Sequence, residues 1–168
     1  MPTRSSAMTA LSSPRPGEPG AARITEPPNH HESIKEMNGL IIREPWISHI
    51  LSGAKTWEMR TTPTRYRGPI GLIGKGTGMV VGVADLVDSL PLLDAAGLAA
   101  THDRHRIPAD LNAEVIQAGW LYPWVIRHAR RLTKPISARQ KPGQVIWVPL
   151  SPAVIQAIEA EMVSEVTQ

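Results

Sequence analysis

Gly53-Ala54-Lys55-Thr56-Trp57-Glu58-Met59-Arg60 is the stretch on which the reading of this chain turns. Gly53 stops a short helix, because glycine takes the left-handed C-terminal conformation without a Cβ clash. From Thr56 to Arg60 polar and apolar residues alternate, the period of a strand with one face buried. Trp57 and Met59 fall on the inner face, and Thr56, Glu58 and Arg60 on the other. A lysine, a carboxylate and an arginine thus gather within six residues of one emerging strand. An exposed Glu58–Arg60 pair contributes only ~0–1 kcal/mol, too little to explain such a grouping. The segment predicts a functional cleft lined by Lys55, Glu58 and Arg60; a strand-stabilising charge pair is the plainer alternative.

The flanks supply the rest of a small domain. Upstream, Gly39-Leu40-Ile41-Ile42 suits a buried strand. Pro45 is tolerated in a first helical turn, and Trp46, Ile47, Ile50 and Leu51 follow with helical spacing. Downstream, a loop with Pro63 and Gly68 leads to Ile70-Gly71-Leu72-Ile73, a glycine turn (Gly74, Gly76, Gly78) and a valine-rich strand from Met79 to Val87. A short helix is expected over Leu92 to Ala99, a polar loop over Thr101 to Pro108 and a helix over Ala109 to Ala118. Strands over Trp124 to Leu132 and Val145 to Val148 follow. A last amphipathic helix starts at about Pro152, capped by Ser151, with Ile155, Ile158, Met162 and Val166 on one stripe. About five strands, mostly joined by turns, with three or four helices, make an α+β domain. A small mixed barrel with helices packed outside fits better than a doubly wound sheet.

The 168 residues suit one domain plus tails. Residues 1–36 hold six prolines and no aromatic residue, which predicts a disordered tail. The domain is expected over 37–150 and the C-terminal helix over 151–168. No run approaches the ~18–20 apolar residues of a membrane span, and the first twenty residues hold no apolar core segment, so no secretory signal is expected there. Cysteine is absent, which excludes disulfides and thiolate metal sites and suits a cytoplasmic address. Residues 43–141 carry fourteen bases against eight acids, +6, whereas 142–168 carry three acids and no base. Such a basic middle is expected of a surface that meets phosphate, or serves as a solubilising charge.

Two tempting motifs fail on their chemistry. Gly74-Lys75-Gly76-Thr77-Gly78 lacks the Ser or Thr after the lysine and the following helix that a phosphate loop needs, so it reads as a turn. His102-Asp103-Arg104-His105 has no third ligand in view, and its arginines oppose a divalent cation. The adjacent His30 and His31 lie in the tail. Tryptophans 46, 57, 120, 124 and 147 read as core, with Trp120 or Tyr122 the natural exception beside glycine and proline.

The pattern glycine, any residue, lysine, two residues, glutamate, any residue, arginine resembles the signature of the ASCH domain, a PUA-like fold. Pro45-Trp46 with Ile50-Leu51 is similar to the first helix of that family. Tyr66-Arg67-Gly68-Pro69-Ile70 and Val81-Gly82-Val83-Ala84 resemble its next two strands. Tyr122-Pro123-Trp124-Val125 and Leu132-Thr133-Lys134-Pro135-Ile136 resemble its closing strand, and Gly143 to Trp147 its last. The likeness spans about residues 39–149. It implies a small barrel that binds RNA or a modified nucleotide; neither a cofactor nor a metal is expected. Some relatives are enzymes, an amidohydrolase of N4-acylated cytidine and a ribonuclease. On that reading Lys55 and Glu58 are the catalytic candidates, Lys55 as a base once desolvated and Glu58 to activate water or bond the amino edge of cytosine. Arg60, Thr56, Arg65 and Arg67 are the ligand-binding candidates, Arg60 offering its rigid fork of donors to a phosphate or carbonyl oxygen. The chain departs from the amidohydrolases, which carry a threonine three positions after the lysine where Glu58 stands. Their second acid has no counterpart here. Binding therefore leads, hydrolysis follows, and an adaptor whose tail recruits partners is the third reading.

Overall fold

The structure, a computed structural model, describes residues 34–164. The elements run β1 (Asn38–Ile42), α1 (Trp46–Leu51), β2 (Trp57–Arg60), β3 (Gly68–Gly74) and β4 (Met79–Ser89), then α2 (Ala95–Ala100), α3 (His102–His105), a 3-10 turn (Ala109–Leu111) and α4 (Asn112–Ala118), and finally β5 (Tyr122–Ser137), β6 (Trp147–Pro149) and α5 (Pro152–Ser164). Six strands form one mixed sheet in the order β2-β5-β4-β3-β1-β6. β1 and β3 are parallel, with α1 and β2 supplying the crossover between them, and the other pairs are antiparallel. The α+β class and the mixed barrel expected from the sequence are what the chain adopts, as a half-barrel of six strands rather than about five.

The curl of the sheet is visible in one hydrogen bond. Arg60, at the end of β2, donates from Nη2 to the Ile41 carbonyl of β1 at 2.9 Å, although three strands separate β2 from β1 in the sheet. Register shifts after Val80, Val83 and Leu86 in the β4–β5 ladder, with His128 at φ 54°, give the bulges that bend it. Gly82 lets the layers close: a Cβ there would lie 2.7 Å from the Arg130 carbonyl oxygen and collide with the Leu51 side chain of α1.

Each face of the sheet has its own core. Leu40, Ile42, Ile70, Leu72, Leu86 and Ile126 pack against Ile47 and Ile50 of α1. Ile41, Ile73, Val80, Leu132 and Val148 pack against Val154, Ile155 and Ile158 of α5. Burying each such aliphatic side chain contributes ~1.5–3 kcal/mol, which holds α5 in place. Val166 of the expected stripe lies outside the described residues, as do residues 1–33 of the expected tail. Ile34 is packed against the α5 core, and its amide donates to a Glu159 carboxylate oxygen at 2.6 Å.

Two elements differ from expectation. The stretch read as a polar loop contains α3, whose His105 is fully buried. β5 runs sixteen residues, because its second half stays paired with β4 as far as Met79.

Candidate functional site

α1 ends at Leu51, and Gly53 (φ 80°) turns the chain back under it. The Lys55 amide donates to the His49 carbonyl and the Thr56 amide to the Arg104 carbonyl, both at 3.0 Å. β2 then pairs with β5, placing Glu58 opposite Trp124 and Arg60 opposite Tyr122. This tight turn brings Lys55 onto the same side as Glu58 and Arg60.

The three charges form one buried cluster. Lys55 Nζ donates to the carbonyls of Trp57 (2.5 Å) and His105 (3.1 Å) and lies 3.4 Å from Glu58 Oε2. Glu58 Oε1 lies 3.2 Å from Arg60 Nη2. Glu58 is therefore a single carboxylate shared by two cations. Both cations also rest near indole rings, Lys55 Nζ 5.5 Å from the Trp46 ring centre and the Arg60 guanidinium 5.6 Å from that of Trp124. Trp124 in turn stacks on Trp147.

Exposures of 3% for Lys55, 4% for Glu58 and 8% for Arg60 place the trio in the interior, not on the open face that strand alternation suggested. Trp57, expected inside, is only half-buried. The reason is the position of β2 at the sheet edge. Met59 packs with Leu98 and Ile107, while Glu58 is held between Lys55 and Arg60, and Arg60 reaches the Ile41 carbonyl of β1.

Burial pushes the Lys55 ammonium below the ordinary lysine range; Glu58 works against that shift and Arg60 adds to it. His105 supports the cluster through its carbonyl. Its Nδ1 accepts from the Ile107 amide at 2.9 Å, so the ring proton sits on Nε2 and is donated to the Leu98 carbonyl at 2.8 Å. Burial pushes His105 below the usual histidine value, with the Leu98 bond opposing it.

The trio has an outlet. Lys55 and Glu58 form part of the wall of a cavity of ≈ 190 Å³, together with Arg43, Trp46, Glu114 and Trp120. Met59, Ile107, Leu111, Val115 and Ala118 complete the wall. Arg60 stands behind Glu58 and does not line it. Thr56 does not line it either; its Oγ1 is buried without a hydrogen-bond partner. Arg65 is exposed away from the lining, and Arg67 is spent on the Thr64 and Tyr66 carbonyls and on Asp88 at 3.3 Å. The structure thus brings Lys55, Glu58 and Arg60 together and leaves Thr56, Arg65 and Arg67 apart from them. Sequence reasoning missed Arg43, Trp46 and Glu114 as wall residues. Trp120, 40% exposed after Gly119, was the one with a local signal.

A curled mixed sheet with α1 packed on one face, and with this buried lysine, glutamate and arginine beside a cavity, defines an α+β domain of the PUA-like class. The family profile described as ASCH domain matches residues 40–136, and the chain belongs to that family. The crystal structure of ASCH from Zymomonas mobilis is similar, at a TM-score of 0.58 and 18% identity over 76% of this chain and 94% of that one. A tyrosine-to-phenylalanine variant of the Zymomonas mobilis protein gives a TM-score of 0.59 at 17% identity, over 74% of this chain and 96% of that one. At such identities the likeness is one of fold. No curated protein matches the chain. Among the described residues no helix is long and apolar enough to cross a membrane.

Proposed function

We propose that this domain binds an unpaired nucleotide of RNA, or a modified nucleotide, with the base in the cavity walled by Trp46, Lys55, Glu58 and Trp120. The observation that carries the reading is the composition of that wall. Two indoles offer π faces for stacking, which stabilises a base by ~1–3 kcal/mol. Glu58 offers acceptor lone pairs to an exocyclic amino group, and Arg43 at the exposed side is a cation for phosphate. Membership of a PUA-like family that often binds RNA supports the same direction.

The second reading, hydrolysis of an N4-acylated cytidine or of RNA, draws support from Lys55, a lysine of depressed pKa on a cavity wall. Against it, the protons of the Lys55 ammonium are already directed at two carbonyls and a carboxylate, which favours the charged donor over a free base. No threonine stands three positions after Lys55. Binding is therefore the better-supported function.

The test is to fill the cavity without touching the trio. Ala118 lies exposed on its wall, and Ala118→Trp should abolish RNA binding while the melting temperature stays unchanged. Equal affinity of wild type and Ala118→Trp for a short single-stranded RNA would remove the cavity from the account. Product formed in the same tubes would promote the hydrolase reading.

A further inference from the structure

Between Glu114 and Glu159 the chain has no acidic residue, yet it carries Arg127, Arg130, Arg131, Lys134, Arg139 and Lys141. The fold lays these six along β5 and the turn after it. β2 covers the outer edge of β5 only from Tyr122 to Val125, with one more bond at Ile126. From Arg127 to Ser137 the ladder to β4 is the only strand pairing that β5 makes among the described residues. All six bases are exposed except Arg130, which is half-buried. The facing strand β4 carries two acids: Asp85, opposite Arg127, is bonded to His128 at 2.9 Å, and Asp88, opposite Val125, to Arg67 at 3.3 Å. Among the described residues none of the six forms an ion pair.

Charged side chains on an exposed strand edge discourage it from pairing with another sheet. Six bases with no ion-pair partner among the described residues concentrate positive charge, which attracts a polyanion. Five of these side chains are exposed, and the register shifts of the β4–β5 ladder bend the strand that carries most of them.

We infer that this band of Arg127, Arg130, Arg131, Lys134, Arg139 and Lys141 holds the phosphodiester backbone of the RNA whose nucleotide enters the cavity. The inference rests on the binding reading of the cavity and adds to it a second, sequence-independent contact surface. Backbone contacts fix position and the base contact selects, a division common to nucleic-acid-binding proteins.

The experiment uses the full chain, a labelled twelve-nucleotide single-stranded RNA, and cytidine monophosphate as the short ligand. A triple variant, Arg131→Gln, Lys134→Gln and Lys141→Gln, removes three exposed bases and no core contact. Each phosphate contact on a single strand contributes ~0.7 to the slope of log affinity against log salt, so the variant's slope should fall by ~2. Between 50 and 200 mM salt that is a ~16-fold smaller loss of affinity than in wild type. Cytidine monophosphate affinity should not change. Arg131→Lys with Lys134 and Lys141 intact should keep the wild-type slope. An unchanged slope in the triple variant overturns the band, and so does retention of the protein on phosphatidylserine vesicles without RNA binding. If the slope falls but Ala118→Trp binds RNA normally, the band stands and the cavity reading fails. If Ala118→Trp loses RNA while the triple variant does not, the cavity stands and the band fails.

Discussion

Replacing Glu58 with glutamine keeps the size and the acceptor oxygen but removes the one negative charge between Lys55 and Arg60. The two contacts, at 3.4 and 3.2 Å, would each be worth ~5 kcal/mol of attraction at an effective dielectric of about 20. Desolvation of three buried charges offsets most of that. Glu58→Gln leaves two cations facing each other in the interior, a defect that costs ~3–5 kcal/mol. For a domain of this length the melting temperature should drop by roughly 10 °C or more. Lys55 supplies a second signature. Its folded pKa lies below its unfolded value, so between the two the unfolded chain binds more protons and stability rises with pH. Without Glu58, which raises that pKa, the window widens downward. Glu58→Gln should therefore recover more stability than wild type when the pH climbs from 7 towards 9.5. Chemical denaturation at both pH values is the assay. A variant as stable as wild type at pH 7, or one whose deficit does not shrink at higher pH, would refute a buried trio.

Other consequences are independent of ligand. His105 is bound as the neutral ring, so its contribution to stability is present above the unfolded value near 6.5 and is lost as the pH falls through its depressed folded value. Thermal melts from pH 7.5 to 5 should show this loss, and His105→Gln should flatten it. Leu98→Ala empties a site with no solvent exposure and should cost ~2–5 kcal/mol in urea denaturation, loosening α2 from Met59 and Ile107. Removing residues 34–36 together with 1–33 should cost ~1 kcal/mol more than removing 1–33 alone, because the Ile34 amide bond to Glu159 goes with them. Equal melting of the two truncations would count against that contact.

Much of this was legible in the primary structure because it depended on local pattern. The alternation at 56–60, the glycine stop at Gly53 and the aliphatic runs of β1, β3 and β4 each name their element without help from distant residues. The charged grouping at Lys55, Glu58 and Arg60 was visible for the same reason. Its burial was not. Alternation tells which residues share a face, but whether a face meets water depends on what packs over it. Here Lys55 and Arg60 flank Glu58, and only the curl of the sheet brings Ile41 to Arg60. Closeness in sequence points Arg65 and Arg67 towards the trio, yet the loop from 61 to 67 turns Arg67 onto Asp88 instead. Glu114 and Trp120 reach the cavity from a helix and a turn more than fifty residues away, a juxtaposition no spacing rule contains.

A crystal structure of the full chain with a short single-stranded RNA measures the central claim directly. The account predicts one base inside the ≈ 190 Å³ cavity, its ring against Trp46 or Trp120 and its polar edge within hydrogen-bonding distance of the Glu58 carboxylate. RNA ordered on another surface, with no base in that cavity, would contradict it.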